Sequence, residues 1–264
     1  MKKALLSAML IVMLSVMFLT GCGKKGFDDV PYSKSSKTSE DLVTTYTEAV
    51  AGTYQLTANY ETTIKTVYPQ IKRTETQVIK STVGDLNNNY FCRTEVMNYV
   101  NDELQNTVTT ILYNGKKYVL TYDAIGDTAT KTQQTYTGLY PKESVLGTMF
   151  ATIKAESIET VYQKTYEKQA YFRTDLLLRS VNLDETIQRP EDTYYTNYEY
   201  EFGINKSGYC HMFNVYNTLI IGEQKNESTW KVYREQSIKT QLKKYGANLY
   251  IEMPDDLGTY ENID

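Results

Sequence analysis

Three cysteines, one histidine and 32 carboxylates are the side chains from which this 264-residue chain has to build any chemistry. The thiol of Cys22 has the most pointed setting. It follows an almost unbroken apolar run, Ala4 to Phe18, and the small residues Thr20 and Gly21. Small side chains let a peptidase reach the backbone, and a thiol is the soft nucleophile that takes up an alkyl group. Cys22 is therefore the thiol whose neighbours best suit a modification. The lone histidine, His211, lies beside Tyr209, Phe213 and Val215 in an apolar stretch, where an imidazole serves structure more readily than base catalysis. A Ser-His-Asp arrangement would have to use it, and no Gly-x-Ser-x-Gly elbow accompanies it. Cys210 and His211, adjacent in an expected strand, point to opposite faces. Ser228-x-x-Lys231 matches a serine–lysine nucleophile pattern without the helix or partner motifs that would support it. No zinc, calcium or phosphate-binding motif occurs, so no metal or cofactor is expected. A carboxylate pair for glycoside hydrolysis depends on a spatial separation that sequence does not display. The chain reads as non-enzymatic.

The segment ahead of Cys22 has the layout of an export signal: Lys2 and Lys3, then an apolar core shorter than the roughly 20 residues of a spanning helix. Gly23-Lys24-Lys25-Gly26 continues as loop. Cleavage before Cys22 removes two of the 28 basic residues and none of the 32 acidic ones, so the net charge moves from −4 to −6. That balance argues against nucleic acid, which requires a basic face, and leaves a lipid as the only attraction to an anionic membrane. Tyrosine dominates the aromatic residues, 25 against 7 Phe and 1 Trp, which suits pleated, half-buried strands. Cys92 and Cys210 form an even pair that an oxidising compartment could join. Both sit in apolar strand stretches, where a free cysteine acts as a small hydrophobe.

Residues 22–38 are polar and aperiodic and read as a flexible tether. Ser39 reads as an N-cap, with Glu40 and Asp41 in the first turn. Leu42, Tyr46, Ala49 and Val50 form one stripe of a helix ending near Gly52. From Tyr54 the period becomes two, with Tyr54, Leu56, Ala58, Tyr60 and Ile64 on one face. Pro69 marks a turn, Ile71–Val83 a returning strand, residues 84–89 a loop and Tyr90–Val100 another strand. Leu104–Tyr113 and Lys116–Tyr122 flank Asn114-Gly115, a strong hairpin signal. Residues 123–138 read as a polar loop. Tyr140-Pro141 opens a helical segment carrying Val145, Leu146, Met149, Phe150 and Ile153. Ala170–Leu183 reads as one strand. In the next, Tyr194, Tyr198, Tyr200 and Phe202 alternate with Tyr195, Asn197, Glu199 and Glu201. Asn205–Gly208 turns into Tyr209–Ile221, and a last long strand begins near Trp230. Leu249-Tyr250-Ile251 pairs briefly before Pro254. Residues 39–264 read as a single α+β domain, mostly antiparallel β.

Leu19-Thr20-Gly21-Cys22 resembles the lipobox of bacterial lipoproteins. That resemblance implies a diacylglycerol on the Cys22 thiol, Cys22 as mature N-terminus, and a stable anchor on the extracytoplasmic face of a cell membrane. The tether, the N-terminal helix, the meander with LYNGKKYVLTYD (residues 112–123), the mid-chain helical insertion and the terminal NLYIEMPDD (residues 248–256) are together similar to the Lol-type lipoprotein-carrier superfamily. That superfamily also holds lipid-binding lipoproteins of the mycobacterial envelope. The resemblance implies an unclosed, curved half-barrel whose concave face is covered by the N-terminal helix and the mid-chain insertion. It further implies an acyl chain or other amphiphile between them. Residues placed to meet such a ligand are Tyr54, Leu56, Tyr60, Leu146, Met149, Phe150, Tyr198, Tyr200 and Phe202. The alternative is a filled core and a surface that docks an envelope protein.

Overall fold

Turn chemistry lays out the first half of the body as a meander. In the computed structural model, β1 (Ser33–Lys34) and the helix α1 (Ser39–Tyr54) precede six strands: β2 (Ala58–Tyr68), β3 (Arg73–Leu86), β4 (Asn89–Val100), β5 (Glu103–Tyr113), β6 (Lys116–Asp123) and β7 (Thr128–Thr135). From β2 to β7 each strand is antiparallel to the one before it. Asn101 and Asp102 (φ 48° and 67°) and Asn114 and Gly115 (φ 50° and 72°) supply the paired left-handed residues of two-residue hairpins. The second half adds β8 (Ile158–Tyr166), β9 (Gln169–Leu176), the short helix α2 (Leu178–Leu183), β10 (Thr193–Ile204), β11 (Cys210–Ile221), β12 (Lys231–Tyr245) and β13 (Glu261–Asn262). The described residues are 26–264 except 55, 87–88, 137–149, 184–189, 222–230, 247–248 and 250–252.

β12 lies antiparallel to β2, from Ala58 opposite Tyr245 to Val67 opposite Glu235, and this seam joins the two meanders. The result is one unclosed, curved sheet in the order β1-β8-β9-β10-β11-β12-β2-β3-β4-β5-β6-β7-β13. Among the described residues only β13, beside β7, is parallel to its neighbour. The body spans Ser33–Asp264; ahead of it, Gly26–Tyr32 contains a turn in which Gly26 N–H donates to Asp29 Oδ2 at 2.7 Å.

Several elements differ from the sequence reading. Ser33 and Lys34, inside the expected tether, pair with Gln163 and Tyr162 of β8. The helix cap is Thr38, one residue earlier than Ser39: its Oγ1 accepts from Asp41 N–H at 3.1 Å while Asp41 Oδ2 accepts from Thr38 N–H, a reciprocal capping pair. The helix passes through Gly52, whose bare Cα faces the Tyr209 ring, and takes in Tyr54. Residues 84–86 and 89 belong to paired strands, with Gly84 opposite Phe91. The expected polar loop at 123–138 contains β7, which carries no apolar alternation to betray it. β8 was not foreseen, and the expected strand Ala170–Leu183 is β9 followed by α2. Phe150–Lys154 is irregular, and the rest of the expected mid-chain helix lies outside the described residues, as do Tyr250 and Ile251.

Each face of the sheet buries a core. On one, Leu42, Tyr46, Ala49, Val50 and Thr53 of α1, the stripe read from the sequence, pack with Phe150, Ile153 and the inward residues of β2 and β8–β11. On the other, Phe91 and Ile111 are buried at the end where the C-terminal segment returns. Tyr260 sets its ring edge-on to Tyr118 at 5.7 Å, Lys131 pairs with Asp256, and Gln133 Nε2 donates to the Tyr260 carbonyl at 3.1 Å.

Candidate functional site

The residues singled out as ligand-facing meet where α1 crosses β10 and β11. Tyr46 projects from the helix onto Phe202 (ring centroids 4.9 Å apart) and Phe213 (5.4 Å), and its hydroxyl donates to the Ala151 carbonyl at 2.8 Å. Phe150 sits among Tyr54, Tyr60 and Phe213 at 6.0, 6.3 and 6.1 Å, edge-on to the two tyrosines. Tyr200 packs on Phe213 at 5.5 Å and Phe172 on Phe202 at 5.2 Å. Such tilted and edge-on contacts suit the aromatic quadrupole. Burial pushes the Tyr46 and Tyr60 phenols far above the usual tyrosine range, so both stay neutral. Thr53 locks the end of α1 to the sheet: its hydroxyl donates to the Ala49 carbonyl at 2.7 Å and accepts from the Cys210 N–H at 2.9 Å.

The structure thus brings Tyr54, Leu56, Tyr60, Phe150, Tyr198, Tyr200 and Phe202 into or against one cluster. Leu146 and Met149 lie outside the described residues. The best-placed rings are core residues, with Phe202 at 0%, Tyr60 at 2%, Phe150 at 5% and Tyr200 at 7% exposure. Tyr54 stands on α1 rather than on β2. The alternation read for β10 breaks at a bulge between Tyr195 and Asn197, which puts Tyr195 on the same side as Tyr198 and Tyr200 and leaves Tyr194 half-buried.

Cross-strand register extends this face into three rows. Phe202, Phe213, Thr240, Thr62, Ile79, Val96 and Val108 form one. Tyr200, Val215, Ile238, Ile64, Gln77, Asn98 and Asn106 form the next, and Tyr198, Asn217, Gln236, Thr66, Glu75 and Val100 the third. The first row is aromatic and closed at α1, then becomes aliphatic and only half-buried at Ile79, Val96 and Val108. The others turn from aromatic to amide. Hydrogen bonds run along them: Gln77 Nε2 to Asn98 Oδ1 at 2.9 Å and Asn98 Nδ2 to Asn106 Oδ1 at 2.7 Å; Asn217 Nδ2 to Gln236 Oε1 at 3.3 Å and Gln236 Nε2 to Thr66 Oγ1 at 3.2 Å. Sequence reading missed these amides because they are neighbours only through strand pairing. It also missed Phe213 as the hub of the rings, although its place in an apolar strand was visible.

The chemistry-bearing residues stand apart from one another. Cys92 on β4 and Cys210 on β11 are both free and buried, so the pairing that remained open in sequence is not made. Burial raises both thiols, Cys210 to about 12. His211 lies edge-on to Tyr171 at 5.5 Å with its Nε2 enclosed and unpartnered, and burial holds its pKa below the usual histidine value. Cys22, Gly21, Ser228 and Trp230 lie outside the described residues. Among the described residues no three His, Cys, Asp or Glu side chains converge as a metal site. No protein-family model matches this chain, and no curated protein matches it.

Proposed function

We propose that this chain is a non-catalytic lipoprotein, anchored through Cys22 on the extracytoplasmic face of a cell membrane, that holds a hydrophobic or amphiphilic ligand against the inner face of a half-barrel. The observation that carries the ligand reading is the first cross-strand row. Its aromatic end is sealed by Tyr46, while Ile79, Val96 and Val108 continue the apolar strip half-exposed. An acyl chain laid along that strip buries apolar surface that the sheet itself leaves partly wet, at about 25 cal/mol per Å2. α1 and the segment around Phe150 then act as the cover that the Lol-type resemblance leads one to expect. The buried, raised thiols of Cys92 and Cys210 and the enclosed, unpartnered Nε2 of His211 support a role without covalent chemistry. Among the described residues no helix is long and apolar enough to cross a membrane.

Native mass spectrometry of the chain with Cys22→Ser, purified without added lipid, tests the ligand. Co-purifying species of acyl-lipid mass, and a rise in melting temperature when fatty acid is added, are expected, because a ligand that binds the folded state stabilises it. A clean spectrum with no thermal shift refutes it. Labelling with palmitate, present in the parent and lost in Cys22→Ser, tests the anchor separately. The second reading, a module that docks an envelope protein on a filled core, is favoured by the burial of Phe202, Phe213 and Phe150 against one another. A lipid-free protein points to it.

A further inference from the structure

A groove of about 250 Å3 opens where β2, β3 and β4 lie side by side, at the amide end of the inner face. Ile64, Thr66, Glu75, Gln77, Asn98 and Val100 are among the residues that line it. Its hydrogen-bonding groups are polarised. The Gln77–Asn98–Asn106 ladder passes donors in one direction, so its acceptor end, Gln77 Oε1, lies in the groove and its donor end, Asn106 Nδ2, lies one strand beyond the lining, on β5. Thr66 Oγ1 already accepts from Gln236, which leaves its own proton to donate. Two strands away from Thr66 and outside the groove, on β11, Asn217 is 4% exposed and keeps Oδ1 buried without a partner. Three strands at about 4.8 Å spacing spread the ladder over about 10 Å.

Charge narrows the occupant. Among the described residues no lysine or arginine lines the groove, which disfavours a phosphate or carboxylate. Its one ionised group, Glu75, is paired with Arg73 at 2.8 Å, and a single carboxylate does not make a cation site. A peptide strand has no backbone to pair with, because β2, β3 and β4 spend their ladders on one another. A ligand that both donates and accepts through hydroxyls, and carries C–H faces to lay on Ile64 and Val100, fits each of these features. We propose that the groove binds a neutral carbohydrate, with its hydroxyls held by Gln77, Asn98 and Thr66. The inference does not rest on the amphiphile reading, which concerns the apolar row.

The test is calorimetric titration of the full chain in mild detergent with maltose, chitobiose and, as control, sodium phosphate. Raising each to about 10 mM reveals a dissociation constant near 1 mM. Heat from at least one sugar and none from phosphate is expected. Asn98→Leu, and independently Gln77→Met should the first variant unfold, weaken sugar binding at least about tenfold, since each removes a hydrogen-bonding group. Ile125→Ser, on the exposed turn between β6 and β7, leaves it unchanged. Silence with both sugars, heat with phosphate, or sugar binding that survives both amide substitutions overturns the proposal. A sugar-silent protein that still carries lipid refutes this inference alone, and a sugar-binding protein without lipid leaves it standing.

Discussion

Replacing Thr53 by valine changes one hydroxyl into a methyl at the point where the last turn of α1 meets the first residue of β11. Thr53 is wholly buried, so the volume is conserved and no cavity forms. What is lost is the bond to the Ala49 carbonyl and, more important, the acceptor of the Cys210 N–H at 2.9 Å. A buried donor left without a partner costs about 1–3 kcal/mol. The lost bond to the Ala49 carbonyl adds about 1 kcal/mol and the extra buried methyl returns about 0.8 kcal/mol, for a net loss of about 2 kcal/mol. In a body of this size, each kcal/mol moves the melting temperature by about 2–4 °C, so Thr53→Val is expected to melt about 4–8 °C lower. Thr53→Ser keeps both bonds and gives up one methyl, about 0.8 kcal/mol. Circular dichroism melts of the three proteins, checked by urea titration, decide the matter. If the valine variant is as stable as the serine variant, the Cys210 N–H has another acceptor, and the hydroxyl is not what ties α1 to the sheet.

His211 predicts a pH response. Its folded-state pKa lies below the ordinary value because of burial, so between the two values the unfolded chain binds the extra proton. Stability is therefore full above about pH 6.5 and falls as the pH drops through the folded pKa; urea midpoints of the parent should decline there, and those of His211→Asn should be flatter over the same window. Gly84→Ala would bring a Cβ to 2.5 and 2.7 Å from the buried Phe91 ring and 2.7 Å from Thr57 Cγ2, so a loss of about 1–3 kcal/mol is expected by urea unfolding. Gly258→Ala meets nothing within 4 Å and should leave the midpoint in place.

Features governed by near neighbours in the chain were legible in the residues. The stripe Leu42, Tyr46, Ala49 and Val50 is the buried face of α1, because helical spacing alone puts these side chains in line. Asn114-Gly115 and Asn205–Gly208 are turns, because positive φ and the Asn205 side-chain bonds are local matters. The antiparallel β character followed from tyrosine and threonine alternation. Tyr200 and Phe202 share a face because they are two apart on one strand.

Other features exist only through contacts distant in sequence. Thr128–Thr135 has no apolar period, and it is a strand because β6 on one side and β13 on the other satisfy its backbone. The bulge at Thr196, which exchanges the facing of Tyr194 and Tyr195, comes from the register of β10 against β11. The seam between β12 and β2 makes one sheet of two meanders, and no local propensity encodes which strand a strand will meet. The amide ladder across Gln77, Asn98 and Asn106 arises the same way. Period and turn residues act within a few positions and are written in the chain, whereas pairing is a competition among all strands that only the folded sheet resolves.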